Sequence, residues 1–339
     1  MTPTGRETGV ALFGERVERA WLPYDLRFAV RRFLGHYRPR FGMILETELW
    51  PRLLEECARE GVPVVLANGR LSERSARRYA RVPSFARWAF ANLAGVAAQT
   101  EADARRFASL GAREVQVTGN VKFDMDIPPA MVERGRAFRE RFGAARPVWV
   151  AGSTREGEEA LLLDAFAGSD ATRDALLVLV PRHPQRFDEV CRIAESHGFT
   201  PARRSDERPV DAATRVLVGD SMGEMLAYYA AADVVIMGGS LLAYGSQNLI
   251  EPCALGRPVI VGPHTYNFEE ASEGAIAAGA ALRVADAQAA VQAAASLSAD
   301  AARRREMGDR ARGFVAAHRG AVQRLMDWLE PRVARSDTR

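Results

Sequence analysis

Residues 175–184 read ALLVLVPRHP. The first six are apolar without a break, and the run stops at Pro-Arg-His-Pro. A half-exposed strand alternates apolar and polar residues; an unbroken β-branched run belongs to a strand covered on both faces, as in a parallel sheet between helices. The same pattern recurs on either side. PVWVAGS (147–153) precedes it, and TRVLVG (214–219), VVIMGG (234–239) and PVIVGP (258–263) follow, each run leading into a helical segment. Strands alternating with helices predict a doubly wound α/β architecture.

The front of the chain repeats the alternation. FGMILE (41–46), VPVVLAN (62–68), GVAAQT (95–100) and VQVTGN (115–120) read as strands. Helical patterns run from Pro51 to Glu60, over 75–93 with a break at Pro83, and from Glu101 to Gly111. Proline lacks the N–H a helix interior needs, so position 83 interrupts or restarts the helix. A loop and helix from Val121 to Phe142 separate the halves, and Ala- and Arg-rich helices close the chain from about Ala301 to Arg335. A length of 339 residues suits two domains. The strand C-termini of each are expected to face a ligand cleft.

Composition narrows the function. A hydrophobic share of 47% and a charged share of 26% are those of a globular protein. No apolar run approaches the roughly 20 residues that span a bilayer, and the start MTPTGRETGV is polar. Cys57, Cys191 and Cys253 are too scattered for a metal or disulfide framework, which fits a reducing cytoplasm. There is no HExxH motif and no Walker loop; Asp124-Met125-Asp126 reads as a solvated acidic loop. Net charge is +3, but residues 1–120 carry 19 Arg and 13 acidic residues, leaving the front basic. That face suits an acidic ligand or an anionic membrane surface, or is simply a solvated arginine surface. Among 46 basic residues the one lysine is Lys122. A compact ammonium kept at a single place marks a site where a planar guanidinium does not substitute.

Polar and glycine-rich segments gather where the strands end. They are AGST (151–154) with Glu156-Gly157-Glu158-Glu159 behind it, Pro181-Arg182-His183-Pro184, GDSMGE (219–224), Gly238-Gly239-Ser240, Gln247-Asn248-Leu249-Ile250-Glu251-Pro252 and Gly262-Pro263-His264. Glycine lets backbone N–H groups approach a phosphate. Each segment has a plainer reading. Ser221-x-x-Glu224 fits a helix capping box, Arg182 an ion pair, His183 a turn, and Glu251 a solvated helix residue. Their placement at successive strand ends favours a nucleotide site. In the front half, Glu46 and Glu48 beside Trp50 offer acid–base work or support for positive charge, or else an acidic helix start. Lys122 stands where the front domain gives way to the linker.

Taken in order, these strings resemble the bacterial 3-deoxy-D-manno-octulosonic acid (Kdo) transferases. The matching stretches are MTPTG (1–5), WLPYDL (21–26), ETELWP (46–51), ANGRLSERS (67–75), AAQTEAD (97–103), VTGNVKFD (117–124), AGST (151–154), PRHPQRF (181–187), GDSMGEM (219–225), GGSL (238–241), QNLIEPCALGRPVIVGP (247–263) and NFEE (267–270). The resemblance implies a GT-B type glycosyltransferase, with two Rossmann-like domains around a central cleft. It divides the chain into 1–127 for the acceptor, 128–318 for the CMP-sugar, and a helix over 319–339 able to cross back to the front domain. It implies metal-independent, inverting transfer of Kdo from CMP-Kdo to lipid IV-A in lipopolysaccharide biosynthesis. The setting would be the cytoplasmic face of the inner membrane, without cofactor or nucleic acid. Pro181, Arg182, Met222, Gly223, Glu224, Asn248, Leu249, Ile250 and Glu251 would hold the donor, and Glu46 and Lys122 would stabilise the transition state.

Two departures qualify this reading. Family members begin with an apolar anchor helix and a strand ending in an H-x-x-S-x-G-E motif, whose Glu is the general base; the string MTPTG resembles a stretch downstream of that Glu. Gly69 stands where the family usually has Ala. An incomplete front domain is therefore expected, and a catalytically impaired, CMP-binding chain is the alternative to an active transferase. Loss of a general base lowers rates by roughly 10²- to 10⁴-fold. A transfer assay on these 339 residues checks this, and robust transfer to lipid IV-A refutes it.

Overall fold

The unbroken apolar runs become parallel strands buried on both faces. The computed structural model describes residues 3–206 and 210–337. Two compact units emerge, Met1–Val121 with Gly320–Arg339, and Lys122–Arg319. Lys122, expected within a first domain of 1–127, opens the second unit.

The first unit holds β1 (Gly42–Leu45), β2 (Val64–Gly69), β3 (Gly95–Ala98) and β4 (Val115–Val117), side by side in that order and all parallel. Every residue of β2 and β3 is buried, whereas β1 alternates because it lies at the sheet edge. One face packs Leu66, Val96 and Ala98 against Val30, Leu34, Leu54, Phe90 and Phe107 from the helices. The other face, built from Val65, Ala67 and Ala97, is covered by Leu325, Trp328 and Leu329 of the last helix, Ala321–Asp337. A parallel sheet between helices has no wet face, so this closure from the far end of the chain is a physical requirement.

The second unit is a seven-stranded parallel sheet. Its strands are β5 (Val148–Thr154), β6 (Leu176–Pro181), β7 (Ala202–Arg203), β8 (Val216–Val218), β9 (Val234–Met237), β10 (Val259–Val261) and β11 (Ala281–Arg283). They lie in the order β11-β10-β9-β5-β6-β8-β7. The order reverses at β5, the switch point where open α/β sheets bind ligands. Two buried clusters line its faces, one centred on Val150, Val178, Tyr228 and Val235, the other on Trp149, Leu163, Leu177 and Ile236. The strands expected from 175–181, 214–219, 234–239 and 258–263 are all present. The edge strands β7 and β11 were not anticipated, because two or three residues are too few to carry a pattern. Pro83 restarts a helix, as expected: Glu73–Ala80 ends before it and Pro83–Ala91 begins at it.

The last helix is held tightly. Trp328 is only 4% exposed, and a Cβ on Gly95 would meet its ring at 2.8 Å. Arg332 lies 4.1 Å from the Trp328 ring and bonds Glu114 at 2.7 Å. Trp328→Ala is therefore expected to destabilise the first unit by roughly 3–5 kcal/mol, the usual cost of emptying a buried aromatic site. Urea unfolding followed through that unit measures it.

Candidate functional site

The strand ends of the second unit build a cavity of about 280 Å³. At its floor is Ser153, the last residue but one of β5, a non-glycine residue held at φ 56°. The chain leaving β9 passes beside it at Gly238, where a Cβ would meet the Ser153 carbonyl oxygen at 2.3 Å and the Thr154 nitrogen at 2.6 Å. Those are backbone atoms and cannot yield, so only glycine fits at position 238. Tyr229 rises beneath Gly152, and burial holds its hydroxyl protonated well above the ordinary phenol range.

Of the nine residues expected to hold a donor, Pro181, Arg182, Met222, Gly223, Asn248 and Glu251 line this cavity. Gly223 sits at φ 77° with open space beside it, so its glycine serves backbone conformation rather than close packing. The Asn248 amide donates to Glu251 Oε1 at 3.0 Å and accepts from the Ile250 N–H at 3.1 Å, fixing the start of the helix Ile250–Ala254. Burial raises the Glu251 carboxyl above the usual range; Asn248 and the charge of Arg182 pull it back only in part.

The remaining three stand elsewhere. The side chains of Leu249 and Ile250 are fully buried in the core, since they anchor the loop and leave only backbone to offer a ligand. Glu224 is buried behind the loop, where its Oε1 accepts from Arg134 at 2.6 Å and Arg204 at 3.0 Å. Burial opposes its charge, but bonds with Ser221, Arg204 and Arg134 outweigh that and hold the carboxyl below the usual range. The capping box suggested by Ser221-x-x-Glu224 is not formed. The helix starts only at Met225, and the Ser221 hydroxyl pairs with the Tyr228 hydroxyl at 2.7 Å.

Tyr229 was missed by motif reading, whereas Ser153, Gln247 and Glu158 lay in the strand-end segments without being named as donor residues. Ser153, Tyr229 and Gln247 line the cavity. Glu158 is fully buried and accepts from the backbone N–H groups of Arg155 (2.9 Å), Gly239 (2.6 Å), Leu241 (3.0 Å) and Leu242 (3.4 Å). The run Glu156-Gly157-Glu158-Glu159 was a signal for it: acidic residues opening a buried helix need partners.

Glu46 lies in the first unit, just past β1, at φ 64°. Its N–H donates to the Ala67 carbonyl at 3.0 Å and its carbonyl accepts from Arg70 at 3.4 Å, so backbone bonds fix it against the end of β2. Glu48 accepts from the Trp50 indole at 3.1 Å. Neither carboxylate caps the next helix. Asp25 does so from a distance, accepting from Arg52 at 3.0 Å and Leu53 at 2.8 Å. In the second unit, the Lys122 ammonium stands 5.2 Å from the centre of the Phe268 ring. Among the described residues no cluster of three His, Cys, Asp or Glu side chains is set to hold a metal, and no helix is long and apolar enough to cross a membrane.

Because folding raises the Glu251 carboxyl, it favours the protonated form. The contribution to stability is fullest below the ordinary carboxylate range and is lost as pH rises through the raised value. Glu251→Gln, which stays neutral, should melt higher than the parent protein at about pH 8, and the gap should close near about pH 4. Thermal melts of both proteins across pH check the sign.

Four similarities bear on this geometry. A family model described as 3-Deoxy-D-manno-octulosonic-acid transferase (kdotransferase) matches residues 1–125. A 3-deoxy-D-manno-octulosonic acid transferase of Bordetella pertussis is 47% identical over 97% of this chain and 79% of its own length. One from Haemophilus influenzae is 35% identical over 99% and 79%. Among solved structures, the C-terminal CMP-Kdo binding domain of WaaA from Acinetobacter baumannii is similar with a TM-score of 0.52 and 32% identity. That match covers 55% of this chain and 98% of that domain. By this identity over nearly the whole of its residues, and by a fold of two parallel α/β units, the chain belongs to the Kdo transferase family of glycosyltransferases.

Proposed function

We propose that the chain transfers Kdo from CMP-Kdo to lipid IV-A with inversion and without a metal, in lipopolysaccharide biosynthesis at an anionic inner-membrane surface. The observation that carries this reading is the cavity at the β5, β6, β8 and β9 ends. Six of the expected donor residues meet there, in the part of the chain that is similar to a CMP-Kdo binding domain. The unit Lys122–Arg319 then takes the CMP-sugar, and the front unit takes the acceptor.

The chemistry follows from the side chains. The anomeric carbon leaves the CMP phosphate oxygen, which keeps the bonding pair, and bonds the acceptor hydroxyl oxygen, whose proton passes to solvent water. Between these events the sugar is electron-poor, and a carboxylate such as Glu46 supports its positive charge. The departing phosphate gains negative charge, which Arg182 at the cavity and Lys122 balance. Glu251 and Asn248 offer paired polar groups to the nucleotide, and Tyr229 donates a hydrogen bond from the floor. A phosphorylated, acylated acceptor suits the arginine-rich front sequence.

Calorimetry with CMP tests the donor half. Arg182→Ala should weaken CMP binding by roughly 10- to 150-fold, as loss of a charge-assisted hydrogen bond does. Lys122→Ala should cut the transfer of labelled Kdo by roughly 10²- to 10³-fold, the effect of removing one donor to developing charge. Equal affinity for CMP and UDP, with Arg182→Ala silent, would sink the reading.

A further inference from the structure

Ser221, Met222 and Gly223 line the cavity, and Met222 and Gly223 are exposed. Ser221 is held by the Tyr228 hydroxyl at 2.7 Å, but the exposed Met222 and Gly223, the glycine at φ 77°, have little of their own to hold them in one shape. Yet both ends of this loop are tied to two consecutive residues elsewhere in the chain. On one side Asp220 accepts from the Ser205 N–H at 2.9 Å and from the Ser205 hydroxyl at 2.6 Å. On the other Glu224 accepts from Arg204 at 3.0 Å and from Arg134 at 2.6 Å.

The corner that supplies these bonds is itself braced. Arg141 donates to the carbonyls of Arg203 and Arg204 at 3.0 and 2.8 Å, and the Arg204 guanidinium stacks over Phe138 at 5.1 Å. Arg134, Phe138 and Arg141 all belong to the helix Pro129–Phe142. β7, which leads into the corner, is the outermost strand of the sheet beside β8. The edge strand and this helix thus fix a corner, and the corner fixes the loop from both ends.

We propose that Arg204 and Ser205 are positioning residues that set the nucleotide affinity of the cavity by anchoring both ends of the loop 221–223. Neither residue lines the cavity. Glu224 belongs to the same clamp, so its part in donor binding is to hold the loop in place. Pre-organising a binding loop raises affinity because less ordering is left to be done on binding. The proposal rests on the reading of the cavity as a nucleotide site.

Ser205 is exposed, so Ser205→Ala removes one hydroxyl bond with little effect on the fold. It should raise the Kd for CMP by roughly 2- to 30-fold, the range for residues that act through a neighbour. The donor KM should rise while kcat at saturating donor holds, the melting temperature should stay put, and Ser205→Thr should restore affinity. Arg204→Met keeps the apolar stack on Phe138 and deletes the charge; it should shift Kd in the same direction. Amide exchange at Ser221–Glu224 should quicken in both variants. An unchanged Kd and unchanged exchange in Ser205→Ala overturns the proposal, as does a loss that follows the melting temperature and is not rescued by threonine. If the parent protein binds no CMP, the nucleotide reading fails on its own. The clamp is then judged by exchange alone, where unchanged rates overturn it.

Discussion

The strand ends of the second unit depend on one buried carboxylate. Glu158 takes the backbone N–H groups of Arg155, Gly239, Leu241 and Leu242; the Gly239 and Leu241 donors would otherwise be stranded in a dry interior. Burial raises its affinity for a proton, and the four amides oppose that. The loop leaving β9 is thereby tied to the helix Glu158–Ala167. Ser240 extends the tie by accepting from Gly262 beside β10 at 2.8 Å. The adjacent Glu159 does a different task, binding the Thr154 hydroxyl at 2.6 Å and Arg186 through both oxygens. Two neighbouring acidic residues therefore hold three strand ends in place, and the cavity inherits its shape from them.

The fold was legible because buried parallel strands leave a strong local trace. Runs such as 175–181 and 234–239 need no partner to be recognised. The cavity was legible in outline for a related reason: open α/β sheets form their crevices at strand C-termini. What local reading missed was direction. Leu249 and Ile250 sit inside a polar motif yet point into the core, since a loop crossing the sheet top needs apolar anchors. Glu224 lies in the loop motif but turns toward arginines 20 and 90 positions away in sequence. Tyr229 carries no motif; it matters because of where the helix Met225–Ala231 brings it. Asp25 likewise caps a helix that starts 26 residues later, which no capping rule based on adjacent residues would find.

Lys122 shows composition and geometry meeting. It is the single lysine in a chain that otherwise uses arginine, and its ammonium rests over the face of Phe268. An aromatic face attracts a cation. The role proposed for Lys122 is to meet a phosphate, and a compact group on a flexible stem suits that better than a planar fork.

The return of the last helix to the first unit has a consequence for biosynthesis. Val65, Ala67 and Ala97 emerge early from the ribosome, but Leu325, Trp328 and Leu329 emerge last. At typical elongation speeds the intervening stretch takes roughly ten to fifty seconds to make. Throughout that time the front sheet has one apolar face without its cover. The second unit, whose helices all lie within its own span, can complete itself first. The nascent chain therefore matures out of order, and its earliest residues are the ones that most need a chaperone's shelter.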